Sequence, residues 1–154
     1  MIQLLLIVHV LVGAALLGAL THQALAVARR PTVPGRTFVS RFRGVNSPTF
    51  TNVVCLLYAT SVLIGALLYP RYRIDVRPLL EDMQLRAANG LFETKEHFAA
   101  VGLGLLPAYW MFWRQPLLPE YASTRKYLTW ILAFTAWFNF IVGELLNNIR
   151  GIFP

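Results

Sequence analysis

Four long apolar runs divide the chain: residues 2–28, 48–69, 91–113 and 126–148. Each reaches the length of about 20 apolar residues that a helix needs to cross a bilayer. The polar stretches between them are too short to form separate domains. The pattern therefore predicts an all-α, polytopic membrane protein. One domain spans 1–154 as a four-transmembrane-helix antiparallel bundle, because short loops force sequential helices to run in opposite directions.

Local signals mark the ends. In "NSPTF" Ser47 is a candidate N-cap, with Pro48 at the first helical position. The "YP" at 69–70 predicts a stop, since proline cannot continue the hydrogen-bond ladder. In loop two, 71–90, a helix-like run after Pro78 ends at Asn89-Gly90 and predicts a short interfacial helix on the membrane surface. In "YAST", Ser123 or Thr124 is the expected cap of the fourth helix. "ALA" at 24–26 resembles a signal-peptide cleavage site. The run before it is long for a signal peptide and no positive charge precedes it, so the first run reads as a retained helix.

Composition agrees. The chain is 56% hydrophobic and 14% charged, against about 25% charged in an average soluble protein. The net charge of +7 does not point to nucleic acid, because the basic residues sit between apolar spans and not along one face. They read as topogenic. Loop one carries Arg29, Arg30, Arg36, Arg41 and Arg43 with no acid, and loop three (114–125) is also net basic. Positive loops stay in the cytoplasm. Both termini and loop two are then expected on the periplasmic or exterior side of a bacterial inner membrane. Loop one, with "SRFRGV", is suited to contact anionic lipid or a cytoplasmic partner. Trp110 and Trp113 are expected at the inner interface and Tyr69 and Tyr72 at the outer one. Ala14 with Gly18, and Gly102 with Gly104, allow helices to approach closely. Cys55 lies alone in an apolar run and reads as a small core residue.

Ionisable residues within the runs carry the functional question, because they are costly in a bilayer. They are His9 and His22 in the first run, Glu93, Glu96 and His97 in the third, and Glu144 in the fourth. His9 and His97 lie at similar depth, on the order of 10 Å from the outer end at 1.5 Å per residue. Glu144 stands at the same level, and Glu93 and His97 share a helical face at i, i+4. These residues predict a polar pocket near the outer end, between the first, third and fourth spans.

Three chemistries suit such a pocket. A b-type haem needs axial ligands from two helices at one depth. His9 and His97 meet that requirement, and Gly13, Ala100 and Gly104 leave room for a macrocycle. A deeper pair, His22 with Met111, is a second candidate. At 100° per residue, however, the 13 steps from His9 turn His22 about 140° away. A metal site would use His9, His97, Glu93 and Glu144. Proton or quinone handling would use the histidine–carboxylate pair. A plainer reading makes Glu93, Lys95 and Glu96 solvated residues at a helix start, favoured there by the helix dipole. That reading leaves His9 without an explanation, since a buried imidazole needs a partner.

No nucleotide-binding motif and no nucleophile–base order is present. The plan is similar in outline to small membrane cytochromes and to accessory subunits of respiratory complexes. The expected function is a small inner-membrane subunit of an electron-transfer or energy-converting complex, with no catalytic activity of its own. Its expected associations are the lipid bilayer, other membrane-protein subunits, haem b through His9 and His97, and quinone. The alternatives are a cofactor-free structural or assembly subunit, and a small transporter or metal-handling protein using Glu93, His97 and Glu144.

Overall fold

The computed structural model describes residues 2–28, 45, 47–114 and 116–152. The arginines of loop one, 29–43, lie outside the described residues. The elements in chain order are α1 (Ile2–Ala28), α2 (Pro48–Arg71), a π-helical turn (Tyr72–Val76), α3 (Arg77–Asp82), α4 (Arg86–Trp113), a 3-10 turn (Pro119–Tyr121) and α5 (Ala122–Ile152). All described secondary structure is helical.

Three helical stretches, Ile2–Ala28, Pro48–Asp82 and Pro119–Ile149, are long and apolar enough to cross a membrane. Among the described residues α4 does not join them, although it has 28 residues. The reason is local: Glu93, Lys95, Glu96 and His97 lie inside α4, in its second and third turns.

The start of α2 follows the sequence signal. Ser47 has extended backbone, its hydroxyl accepts from the Phe50 N–H at 3.1 Å, and Pro48 opens the helix. Ser47→Ala should therefore cost about 1 kcal/mol, read as a lower melting temperature in detergent. An unchanged melt would show that the cap contributes nothing.

Three boundaries differ from expectation. Pro70 does not stop α2. The helical path runs on through Arg71 into the π turn, where the Arg77 N–H bonds the Tyr72 carbonyl five residues back. The break after α3 falls at Met83–Leu85, where Gln84 takes φ 59°, not at Asn89-Gly90. Those two residues are helical in α4, held by packing: Ala88 is buried against Tyr72 and Leu80, and Asn89 accepts from the Tyr72 hydroxyl at 2.8 Å. Finally, α5 starts at Ala122, following the 3-10 turn, so Ser123 and Thr124 lie inside it and are not its cap.

The four long helices touch in a closed cycle: α1 packs on α2 and α5, and α4 packs on α2 and α5. Contacts pair the end of one helix with the start of the next, so neighbours run antiparallel. His22 late in α1 meets Phe50 early in α2, and Trp113 late in α4 meets Thr129 early in α5. The apolar interior forms two clusters. The larger contains Leu16, Leu20, Val54, Tyr58, Leu106, Tyr109, Trp113 and Leu132. The smaller contains Tyr72, Leu80 and Ala88, with Tyr69, Phe92, Leu146 and Ile149 packed against it.

Two aromatics expected at interfaces are interior. Trp113 is 2% exposed and donates to Thr129 at 3.0 Å. Tyr72 is 8% exposed and stacks on Phe92 with ring centroids 3.4 Å apart. Trp110 matches expectation better, being exposed, with its indole donating to Asn52 and Arg114 lying over its ring.

Candidate functional site

Between the two apolar clusters lies a polar level. Read along α4, it falls at residues 93–97, after Phe92 and before Gly102. On α2, Gly65 and Ala66 stand at this level, beside His9 and the groove on α4.

His9 reaches this level from α1. Its ring rests on Gly65: a Cβ at that glycine would stand 3.5 Å from His9 Cε1. The Ser61 backbone is within hydrogen-bonding reach, and Lys95 and Glu96 are near enough to act on the ring electrostatically. His9 Nδ1 is buried with no hydrogen-bond partner.

Lys95 is not the solvated residue that the sequence suggested. Its side chain is only 16% exposed, and its ammonium pairs with Glu96 at 2.5 Å and lies over the Phe92 ring. All five residues 93–97 are polar, four of them ionisable, on a helix that advances about 100° per residue. One of them had to face the interior.

Glu93, Glu96 and His97 line an open groove between α2 and α4, with Ala66, Tyr69 and Ala100 completing its walls; its volume is about 380 Å³. The sequence placed this pocket between the first, third and fourth spans. The structure opens it on the α2 side, because residues 93, 96, 97 and 100 share the face of α4 that looks toward Ala66 and Tyr69. Glu93 is neutralised by Arg77 at 3.4 Å and Arg73 at 3.8 Å, while Arg71 pairs with Asp75 instead. His97 is exposed, and its Nδ1 lies 2.7 Å from the Glu93 carbonyl oxygen. A carbonyl only accepts, so Nδ1 carries a proton, and whenever the ring is neutral the lone pair is on Nε2.

The remaining sequence candidates are dispersed. His22 stands edge-on to Phe50 of α2, while Met111 points outward and is 59% exposed. Gly13 and Gly104 face open space. Glu144 is exposed on α5, where its backbone carbonyl accepts from Asn148. Among the described residues, no group of three or more His, Cys, Asp or Glu side chains is placed to hold a metal ion.

A haem between His9 and His97 fits this arrangement only on one side. His97 has the tautomer that axial ligation through Nε2 requires. His9 packs its ring on Gly65, outside the set of residues that line the groove.

Two further polar knots were not singled out from the sequence. The Tyr58 hydroxyl donates to the Ala99 carbonyl at 3.4 Å, lies 3.3 Å from Thr135 Oγ1, and sits against Gly102. The Tyr109 hydroxyl donates to Gln23 Oε1 at 2.6 Å, while Gln23 Nε2 is buried without a partner.

Comparison with family models, with curated proteins and with solved structures finds no match to this chain.

Proposed function

We propose that this chain is a small multi-pass subunit of an electron-transfer or energy-converting complex in a bacterial inner membrane. In this reading it has four membrane-crossing helices, with both termini and residues 70–90 on the periplasmic side, and no catalytic activity of its own. The observation that carries it is the ionisable level itself. His9, Lys95 and Glu96 sit between two apolar clusters, in a helix pack whose outward surface is rich in exposed Leu, Ile and Val. Ionisable groups at such depth are expensive and mark functional sites by default. The groups that make α4 too polar to cross alone are partly covered by its neighbours, which supports its crossing with them.

The test is extraction of the tagged full chain in a mild detergent. Co-migration with redox-active membrane proteins, well above the 17.4 kDa of the single chain, is the expected result. Extraction as a lone chain that moves ions across liposome membranes would replace this reading with the transporter alternative.

A second reading, haem b held by His9 and His97, is favoured by one observation, the Nδ1 hydrogen bond that leaves His97 Nε2 free. It predicts a Soret band in the purified protein that is lost in both His9→Ala and His97→Ala. A colourless protein, or a band that survives His9→Ala, would end it.

A further inference from the structure

One buried atom of the polar level takes part in no contact that holds the fold: Nδ1 of His9. It is shut off from solvent and has no hydrogen-bond partner. The Ser61 backbone lies within hydrogen-bonding reach of the ring, and with Nδ1 unpartnered that reach belongs to Nε2. Ser61 lies inside α2, where its carbonyl has a second lone pair to offer, so Nε2 is the nitrogen that carries a proton. Nδ1 is then unserved in both charge states of the ring. In the neutral ring it is a lone pair without a donor, and in the imidazolium an N–H without an acceptor. No hydrogen bond at Nδ1 holds the ring in either state.

The surrounding charges are balanced too. Among the described residues, Lys95 and Glu96 of α4 are the charged groups that act on His9. The neighbouring α2 meets the ring with Gly65 and the Ser61 backbone, and α5 adds no charge. Lys95 and Glu96 pair with each other at 2.5 Å. Toward His9 they act with opposite signs, the ammonium opposing an added proton and the carboxylate attracting it.

A route from solvent reaches this cluster. Glu96 belongs both to the pair and to the wall of the groove between α2 and α4, whose polar lining also includes Glu93, His97 and the Tyr69 hydroxyl. The groove holds about 380 Å³, many times the ~30 Å³ that one water occupies in the liquid. Exposure falls inward along the series: His97 is exposed, the Glu96 and Lys95 side chains are 31% and 16% exposed, and His9 Nδ1 is covered.

We propose that His9, with Lys95 and Glu96, forms a proton-binding site loaded from the groove, which makes the proton the ion that this subunit handles. This inference rests on the energy-converting reading and names the substrate left open there. In the loading step a proton leaves hydronium in the groove and ends on Nδ1. Lys95 keeps its charge and Glu96 regains any proton-free state it passed through, so the cluster goes from neutral to a single positive charge, and release reverses the step.

The experiment uses the full chain in lipid nanodiscs with ¹⁵N-labelled histidine. Imidazole nitrogen shifts in NMR separate the imidazolium from the two neutral tautomers, and the His9 signals are those lost in His9→Gln. Between about pH 4 and pH 9 His9 should change charge reversibly, with its neutral form protonated at Nε2. Lys95→Met should move the midpoint up by about one pH unit, a tenfold gain in proton affinity, and Glu96→Gln should move it down by about as much. The double variant leaves neither charge unpaired and should return near the parental midpoint, which keeps the test open if a single variant does not fold. Ala100→Leu fills the groove from an exposed position of α4. Its circular dichroism should match the parent while exchange between the two His9 forms slows. A His9 ring that keeps one charge state throughout, a midpoint unmoved by both single variants, or exchange unaffected in a folded Ala100→Leu protein would each overturn the proposal. No titration while redox partners still co-purify would remove the proton site and spare the subunit reading. The expected titration in a chain that extracts alone would do the reverse.

Discussion

Gly102→Ala is expected to destabilise the protein by about 3 kcal/mol, seen as a drop of roughly 10 °C in the melting temperature in detergent. A Cβ at Gly102 would lie 1.7 Å from the Tyr58 hydroxyl oxygen, 2.5 Å from its ring carbon Cζ and 3.1 Å from Thr135 Oγ1. The phenol cannot retreat without giving up its contacts to Ala99 and Thr135. It is 3% exposed and packed in the main core, so α2 and α4 would have to part. Tyr58→Phe removes the closest atom of that clash. The double variant should therefore lose less stability than the two single changes added together. A Gly102→Ala protein that melts like the parent would show that α2 and α4 approach each other less closely than described.

The second large effect is expected at Gln23 and Tyr109, both fully buried. Tyr109→Phe leaves the Gln23 amide with neither end bonded, which should cost about 2 kcal/mol or more. Gln23→Leu strands the phenol hydroxyl and should cost somewhat less. Making both changes removes every unsatisfied polar atom from the site while keeping similar bulk. That protein should return to parental stability or exceed it by about 1 kcal/mol. Thermal or denaturant melts of all four proteins give the coupling directly. Additive single effects would refute the pairing of Gln23 with Tyr109.

Four long helices were legible in the sequence, because apolar length is a coarse property that survives local irregularity, but only three of them are apolar enough to cross a membrane. The Ser47 cap was equally legible, since an N-cap involves only neighbouring residues. Pro70 and Asn89-Gly90 misled for one shared reason. Tyr72 stacks on Phe92, bonds Asn89 and packs near Ala88, and this contact between distant segments overrides the local preference to break. The site was legible in composition and height but not in direction. Residue counting put His9 level with the start of the third run, and the structure sets it beside Lys95 and Glu96. Which side of α4 each polar group faces depends on how the helix is rotated against α2 and α5, and five consecutive polar residues leave that rotation undetermined. Lys95 was passed over for the same reason. Gln23 and Tyr109 carried a faint signal, a lone amide and a lone phenol inside apolar runs, but nothing in spacing links positions 86 residues apart.

The continuous helical path Pro48–Asp82 has 35 residues. At about 1.5 Å per residue it measures roughly 50 Å, whereas the hydrocarbon layer of a bilayer is only about 30 Å thick. A straight rod of that length, if it crossed a bilayer, would overshoot it even when tilted. The Arg71–Asp75 and Arg77–Glu81 pairs would then lie beyond the lipid plane, on a segment packed against α4 and α5. A soluble protein approaching from that side would meet this segment before it met the membrane.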